Sequence, residues 1–291
     1  MNKSFTLIEI LVVIVIIGIL SGFIIVSMTG VSSKATIAKG QVFANSLKNA
    51  LLINLLAQYK LDGDASDCWG GHAAGTVTGP SSYSSCVQGT CYSFDGVDDY
   101  IELADSSDLR MASGGTISAW IYPKTLGEGS NERVIHKGTD INATNGYRVQ
   151  ISSSNTLRFV VNAGAVQTVS SDDAIKLNQW QLATVSFNGS GRKLYVNGID
   201  VTSAGGSETA LPPDVAGIVR IGNNTVATDL TFDGYIDEVS IYNAAVPTSQ
   251  IQESYYAGLN RLLANNQVGL EEYQERTAEL RESIALHPVD K

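Results

Sequence analysis

The chain opens with an almost uninterrupted apolar stretch and then changes its pattern. Residues 10–26 are apolar except for two glycines and one serine, and a single acidic residue, Glu9, precedes them. Residues 32–56 keep apolar positions at helical spacing, and the first proline of the chain is Pro80. This pattern predicts one helix from about Thr6 to Leu56, which would extend about 75 Å at ~1.5 Å per residue.

From residue 57 onward the apolar period is two instead of three to four. Residues 157–161, 181–187 and 193–196 alternate as strands do. The pair Asn197 and Gly198 predicts a two-residue hairpin turn, because both residues tolerate positive φ. Many short strands joined by Gly, Asn and Ser turns predict an all-β sandwich.

Helical spacing returns near the carboxyl end of the chain. A helix is predicted to start after Pro247, and residues 268–280 form an amphipathic, charged pattern. Three arrangements of this tail are open. It packs on the amino-terminal helix, it contacts another subunit, or it is simply solvated.

Composition excludes one large class of partner. The net charge is −10, only 16% of the residues are charged, and no run rich in Lys or Arg occurs. Binding to nucleic acid needs a basic surface, so we expect none. Abundant glycine and small polar residues are typical of an exported, β-rich surface protein.

Three cysteines follow the apolar stretch, at Cys68, Cys86 and Cys91. A disulfide is allowed if this part of the chain is exported, and the odd count leaves one thiol over. We favour Cys86 with Cys91, which would close a small loop with Gly89 at its bend. A pairing that involves Cys68 is the alternative. Zinc fits less well, because the spacing matches no common finger.

The first residues resemble the type IV prepilin signal, through the string FTLIE at residues 5–9 and the apolar residues after it. In that family a dedicated peptidase cuts before the phenylalanine and methylates the new amino group. The resemblance therefore implies a cut between Ser4 and Phe5 and N-methylation of Phe5. The family usually has glycine before the cut, where this chain has serine. An ordinary signal peptide would have a shorter apolar core.

The same resemblance implies an assembly role for Glu9. A carboxylate this close to hydrocarbon is costly unless it has a partner. In pilin filaments it is thought to face the amino terminus of a neighbouring subunit, and such a charge pair would set register as well as adhesion. The implied partners are copies of this chain, a prepilin peptidase and an inner-membrane assembly platform. The implied location is the bacterial cytoplasmic membrane before assembly and an extracellular filament afterwards.

Four later strings resemble the laminin-G-like, concanavalin-type jelly-roll family. They are SFDGVDDYIEL at residues 93–103, GTISAWIYP at 115–123, LYVNG at 194–198 and FDGYIDEVSIYN at 232–243. The resemblance covers residues 57–256, with the opening strand expected at 58–62. The predicted fold class is therefore α+β and multidomain, with a leader (1–4), a transmembrane assembly helix (5–56), a jelly-roll sandwich (57–256) and a short helical tail (257–291).

Relatives of the jelly roll bind sugars or proteins, and some hydrolyse glucans. The hydrolases carry Glu-x-Asp-x-x-Glu, which places two carboxylates beside the scissile bond, and this string is absent here. We therefore expect that this protein is not an enzyme. Trp69, in a Gly-rich loop, is the candidate ligand contact, because an indole ring stacks on sugars. A structural contact with the cysteine loop is the alternative for Trp69, and Trp120 and Trp180 are expected in the core.

Calcium is the candidate cofactor that the resemblance implies. Relatives often hold one ion between an early acidic loop and the late Ile-Asp-Glu string, and Asp67 and Asp237 correspond best to those positions. Carboxylate oxygens suit calcium. The early loop is a degraded match, however, and a local cap or pair is the alternative role for Asp237. Residues 95–99 are expected to form a turn.

These patterns together predict a structural subunit of a type IV pilus-like filament that displays a jelly roll for adhesion or surface coating. The ligand of the jelly roll would be a glycan or a protein. One alternative is a pseudopilin of a type II secretion-like machine. Another is a membrane-tethered carbohydrate-binding protein that never polymerises.

Overall fold

The structure is a computed structural model that describes residues 54–125, 131–139, 146–161, 166–225 and 230–286. The predicted amino-terminal helix lies outside the described residues, apart from its last three positions. Those positions differ from the prediction, because Leu55 and Leu56 begin a strand. Leu55 pairs with Tyr242 near the other end of the chain. This long-range pairing overrides a helical spacing that is only a local preference.

The described residues form sixteen strands, one 3-10 turn and two helices. The strands are β1 Leu55–Tyr59, β2 Thr76–Thr78, β3 Ser81–Tyr83, β4 Cys91–Asp95, β5 Tyr100–Leu103, β6 Gly115–Pro123, β7 Asn131–Lys137, β8 Tyr147–Ser152, β9 Leu157–Val161, β10 Val166–Ser170, β11 Gln181–Asn188, β12 Gly191–Val196, β13 Ile199–Asp200, β14 Thr202–Ala204, β15 Val219–Ile221 and β16 Asp233–Tyr242. The 3-10 turn is Asp108–Arg110, and the helices are α1 Thr248–Ala264 and α2 Leu270–Leu286.

The strands make two antiparallel sheets of eight strands each within the described part of the chain. Sheet A has the order β13-β12-β11-β6-β16-β4-β3, and β1 also pairs with β16. Sheet B has the order β14-β10-β9-β8-β7-β15-β5-β2. Strand β16 pairs with β4 through its first half and with β1 through its second half. A bulge at residues 237–240 of β16 separates these two pairings.

The main core lies between the two sheets and follows the period of two. In β6, the side chains of Ile117, Ala119 and Ile121 belong to this core. Trp120 and Tyr122 alternate with them and belong to a second cluster on the outer face of sheet A. Trp120 is therefore buried, as expected, but on the face opposite to the expected core neighbours.

Helices α1 and α2 form a hairpin that covers part of the outer face of sheet A. Tyr255, Leu259, Leu262 and Leu280 of the hairpin are buried together with Trp120. Each buried leucine contributes about 1.5–3 kcal/mol relative to an exposed one. The predicted boundary between residues 256 and 257 falls inside α1, so the tail is a structural part of the domain rather than a solvated extension.

Gly258 explains how closely α1 approaches the sheet. A Cβ atom at this position would lie 2.1 Å from Cζ2 of Trp120. The Trp120 and Tyr255 rings stack beside it, with centroids 5.8 Å apart. Glycine here is therefore a packing requirement, and it does not interrupt the helix.

Local strand and turn predictions are confirmed. Strand β9 has the predicted bounds, and Asn197 and Gly198 have φ of 54° and 78° in the turn between β12 and β13. The predicted opening strand at residues 58–62 begins three residues earlier, at Leu55. Neither helix in the described ranges has the length and hydropathy needed to span a bilayer.

Candidate functional site

Four aromatic side chains gather at one end of the outer face of sheet A. Tyr122 of β6 and Tyr235 of β16 are cross-strand neighbours, with ring centroids 5.3 Å apart. Trp180, just before β11, lies 5.7 Å from the Tyr122 ring and 6.1 Å from the Tyr235 ring. Because alternate residues of a strand share a face, these rings lie on the side of the sheet away from the main core.

Tyr83 at the end of β3 completes this aromatic cluster. Its ring stacks on Tyr235 with centroids 4.1 Å apart and planes 6° from parallel. The cross-strand partner of Tyr235 on β4 is the small residue Ser93, which leaves room for the Tyr83 ring. Burial, and then the neighbouring Tyr83 hydroxyl, raise the pKa of Tyr235 to about 12. The Tyr235 hydroxyl is therefore neutral at physiological pH and can donate a hydrogen bond.

A group of three polar residues, Arg276 and Glu272 of α2 with Gln179, lies beside the aromatic cluster, and we call it the polar wall. Nη1 of Arg276 donates to the Trp180 carbonyl oxygen at 2.7 Å, and its Nη2 donates to Oε1 of Gln179 at 3.3 Å. Nη2 also pairs with Oε1 of Glu272 at 2.6 Å. Arg276 is only 6% exposed. A buried guanidinium with three acceptors fixes the positions of Gln179 and Glu272.

The aromatic cluster and the polar wall enclose a cleft of about 360 Å³. Ser85, Asn178, Gln267 and Val268 complete its lining. The volume lies near the lower end of the range of roughly 300–1,000 Å³ that is typical of small-molecule sites. We call it the hairpin cleft, since the α1–α2 turn and the start of α2 form one side.

The predicted ligand contact Trp69 is not among the residues that line the hairpin cleft. It is 45% exposed, and its Nε1 donates to the Leu55 carbonyl oxygen at 2.9 Å. This bond anchors the Gly-rich loop to the start of β1. Trp180, which was expected in the core, is buried but also lines the cleft. Whether Trp69 contacts a ligand stays a prediction.

Asp67 is surrounded by N–H donors. Its Oδ1 accepts bonds from the backbone N–H groups of Gln58, Trp69 and Gly70, and its Oδ2 accepts one from the N–H of His72. Nδ1 of His72 lies 2.7 Å from Oδ2. Burial alone would raise the pKa of Asp67, but these hydrogen bonds outweigh it and lower the pKa to about 2.

Asp237 has a similar role in the bulge of β16. Its Oδ2 accepts the N–H groups of Val87 and Gln88 at 3.0 and 3.1 Å, and its Oδ1 accepts the N–H of Glu238 at 2.9 Å. Burial, and to a lesser extent the Glu238 carboxylate, raise the pKa of Asp237 to about 8, against the effect of the N–H donors. The residue thus holds the loop between the two cysteines.

Asp67 and Asp237 both accept N–H donors in this structure, which agrees with the local role given above as the alternative for Asp237. A calcium ion takes six to eight oxygen ligands, and at Asp67 it would compete with N–H groups that both carboxylate oxygens accept. Within the described ranges, three carboxylates lie close enough together to share an ion, those of Asp95, Asp98 and Asp99. Asp99 accepts the Asp95 N–H in the predicted turn. Calcium binding by this chain stays a prediction.

The cysteines form the favoured pair. Cys86 and Cys91 are joined by a disulfide, and Cys68 is a free, exposed thiol. Nδ2 of Asn265, in the α1–α2 turn, donates to the Val87 carbonyl oxygen at 3.0 Å. The disulfide loop is therefore held on one side by hydrogen bonds to Asp237 and on the other by a hydrogen bond from the helical hairpin.

The fold defines the class of protein, a two-sheet jelly roll. A family model described as the concanavalin A-like lectin/glucanases superfamily matches residues 95–252. Because this match spans more than half of the chain, the protein belongs to that superfamily. A second model, described as the prokaryotic N-terminal methylation motif, matches residues 1–25. The predicted Ser4, Phe5 and Glu9 sites lie within this motif but outside the described residues.

Solved structures with the same fold include binding domains and enzymes. Domain 4 of AbnA, an extracellular arabinanase from Geobacillus stearothermophilus solved with arabinotriose, has a TM-score of 0.56 and 22% identity, covering 69% of this chain and 97% of that domain. The binding domain of Paraclostridial Mosquitocidal Protein 1 has a TM-score of 0.56 and 17% identity, covering 72% and 53%. Trypanosoma rangeli sialidase has a TM-score of 0.54 and 14% identity, covering 70% and 33%.

These likenesses establish the fold alone, because all three identities are below 25%. This chain spans nearly all of the first structure, about half of the second and a third of the third. A search of curated proteins finds no match. The expectation that this chain is not an enzyme stays a prediction, since the structures with this fold include a sialidase.

Sequence reasoning did not find the hairpin cleft. Its aromatic residues are separated by up to 152 positions, from Tyr83 to Tyr235, and its polar wall comes from α2. One signal was available. Tyr122 and Tyr235 occupy outward positions of strands whose alternate residues are aliphatic, and outward aromatic residues need a cover or a ligand.

Proposed function

We propose that this protein is a type IV pilin-like subunit of a surface filament and that its jelly roll binds an extracellular ligand. The observation that carries the proposal is the methylation motif at residues 1–25 in the same chain as a lectin-type domain at residues 95–252. The first part supplies processing and assembly, and the second supplies a recognition fold.

Three features of the chain support export and display. The disulfide between Cys86 and Cys91 requires an oxidising compartment to persist. The net charge of −10 keeps a displayed surface soluble. The apolar residues 10–26 are long enough to cross a bilayer before assembly.

In this proposal Glu9 selects the neighbour in the filament. Its carboxylate faces the methylated amino group of Phe5 of another subunit, and the two opposite charges are stable only as a pair in a low-dielectric filament core. Removing one partner leaves the other charge buried and unpaired, so assembly should fail while membrane insertion continues.

The test compares cells that express the wild-type chain, Glu9→Ala or the matched control Glu271→Ala, which removes an exposed carboxylate from α2. We expect sheared surface filaments from the wild type and the control, with a mature chain that begins at N-methylated Phe5. Glu9→Ala should yield no filaments at an equal membrane level of the protein.

Normal filaments from Glu9→Ala, or a mature chain that retains Met1, would contradict the assembly proposal. Retention of Met1 would favour a membrane-tethered binding protein. Wild-type cells that lack filaments, but stop secreting exported proteins when the chain is deleted, would favour a pseudopilin.

A further inference from the structure

The hairpin cleft presents hydrogen-bonding groups above packed rings. Tyr83, Tyr122 and Tyr235 are each partly exposed there, and each carries a hydroxyl that both donates and accepts. Trp180 is 3% exposed, and its Nε1 donates to the Ser85 carbonyl oxygen at 3.3 Å. The rings are thus a rigid floor, since stacking and burial fix them before any ligand arrives.

The polar wall is ordered in the same way. Arg276 holds the amide oxygen of Gln179 and the carboxylate of Glu272 through one buried guanidinium. Asn178 and Gln267 add uncharged amides to the lining. Groups that are already held in place lose little conformational freedom when a ligand binds, which favours affinity.

The balance of charge selects the ligand class. The negative charge of Glu272 is paired with Arg276 at 2.6 Å, and an anionic ligand would be repelled by that carboxylate. A cationic ligand would be repelled by the positive charges of Lys124 and Arg276. Nζ of Lys124 lies 4.2 Å from the Tyr235 ring centroid. An apolar ligand would cover the amides and hydroxyls of the cleft without giving them hydrogen-bond partners, at about 1–3 kcal/mol each.

We propose that the hairpin cleft binds a neutral oligosaccharide and that the helical hairpin is an essential wall of this site. A neutral, hydroxyl-rich ligand satisfies the amides and hydroxyls and packs its ring faces on the tyrosines. This inference rests on the proposed ligand-binding function and gives that function a place and a ligand class.

Part of the site lies outside the region that the family model matches. Gln267, Glu272 and Arg276 follow the region that the family model matches, and Tyr83 and Ser85 precede it. Five polar or aromatic residues from outside the matched region therefore meet at or beside one cleft.

The test uses the full chain in detergent on an array of immobilised neutral trisaccharides, namely arabinotriose, cellotriose and xylotriose, with sialyllactose as the acidic comparison. The variants are Tyr83→Ala and Gln179→Ala. Val97→Ala is the control, because it removes part of an exposed side chain outside the cleft. Gln179 is itself exposed, so its truncation should leave the fold intact, which circular dichroism checks.

We expect the wild type to bind at least one neutral trisaccharide, with dissociation constants raised at least tenfold in Tyr83→Ala and Gln179→Ala. Val97→Ala should bind within twofold of the wild type. Tyr83→Phe, which keeps the stacked ring, should lose less affinity than Tyr83→Ala. If Tyr83→Ala unfolds, Gln179→Ala and Glu272→Gln decide the result.

Three results would overturn the inference. The first is that the protein binds no neutral trisaccharide, and the second is that it binds sialyllactose alone. The third is that it binds a trisaccharide but neither Tyr83→Ala nor Gln179→Ala weakens the binding. The last result would leave the ligand-binding function standing at another surface of the jelly roll. Filament formation by both variants, measured in parallel, separates a failed cleft from a failed assembly proposal.

Discussion

Replacing Gly258 by alanine tests whether the helical hairpin is docked on sheet A. Gly258 lies inside α1, where alanine is normally the better residue by about 1 kcal/mol. In this protein the added Cβ would lie 2.1 Å from Cζ2 and 2.6 Å from Cε2 of Trp120. Helix propensity and packing therefore predict changes of opposite sign.

The magnitude follows from the contact distances. Carbon atoms in contact normally lie about 3.5–4.0 Å apart, so α1 or Trp120 has to move by at least ~1.4 Å. Trp120 is only 3% exposed and is packed against Tyr255, which leaves it little room. Overpacking of this kind costs about 1–3 kcal/mol or more. After the gain in helix propensity, we expect Gly258→Ala to lower the free energy of unfolding by up to about 2 kcal/mol.

Equilibrium urea unfolding of the full chain in detergent measures this change. All three tryptophans of the chain, Trp69, Trp120 and Trp180, lie in the described domain, so their fluorescence reports on that domain alone. Gly189→Ala is the control, because nothing lies within 4 Å of its added Cβ. We expect the control to change stability by less than about 0.5 kcal/mol.

A second substitution identifies the contact that is responsible. Trp120→Phe shortens the ring that meets α1, so Gly258→Ala should cost less in that background than in the wild type. If Gly258→Ala instead stabilises the protein by about 1 kcal/mol, helix propensity alone is acting. The hairpin would then not lie against Trp120, and the hairpin cleft would lose its wall.

Two further predictions concern the loops. The low pKa of Asp67, about 2 against an unfolded value near 3.9, stabilises the folded protein above pH 4, and this stabilisation is lost as the pH falls toward 2. Asp67→Asn should remove this acid dependence and lower the free energy of unfolding by about 2 kcal/mol. An acid-unfolding curve that is the same in the variant and the wild type would contradict the prediction. The double substitution Cys86→Ala with Cys91→Ala should cost about 2 kcal/mol from the small closed loop, whereas Cys68→Ala, at a free exposed thiol, should be nearly neutral in the same urea assay.

Local pattern was sufficient wherever neighbouring residues decide the structure. The turn at Asn197 and Gly198 was predictable, because positive φ is a property of those two residues. The strand at Leu157–Val161 was predictable from its alternation. The favoured disulfide between Cys86 and Cys91 was also correct, since five positions of separation already place the two sulfurs near each other.

Predictions were wrong where a distant partner decides the structure. The helix was expected to reach Leu56, but pairing with β16 makes Leu55–Tyr59 a strand. The competing interaction comes from a segment far away in the chain, so the local sequence carries no signal for it. The calcium role of Asp67 and Asp237 stays a prediction.

The sequence by itself determined the type of protein: a methylation motif with an apolar segment, followed by a jelly roll with a cysteine loop. Apolar periodicity and turn residues act over a few neighbouring positions, so the linear sequence is enough to predict the strands and turns that they form. The hairpin cleft was decided only by the tertiary structure. It exists because Tyr83, Tyr235 and Arg276, which are far apart in the chain, meet when α1 and α2 pack on the outer face of sheet A.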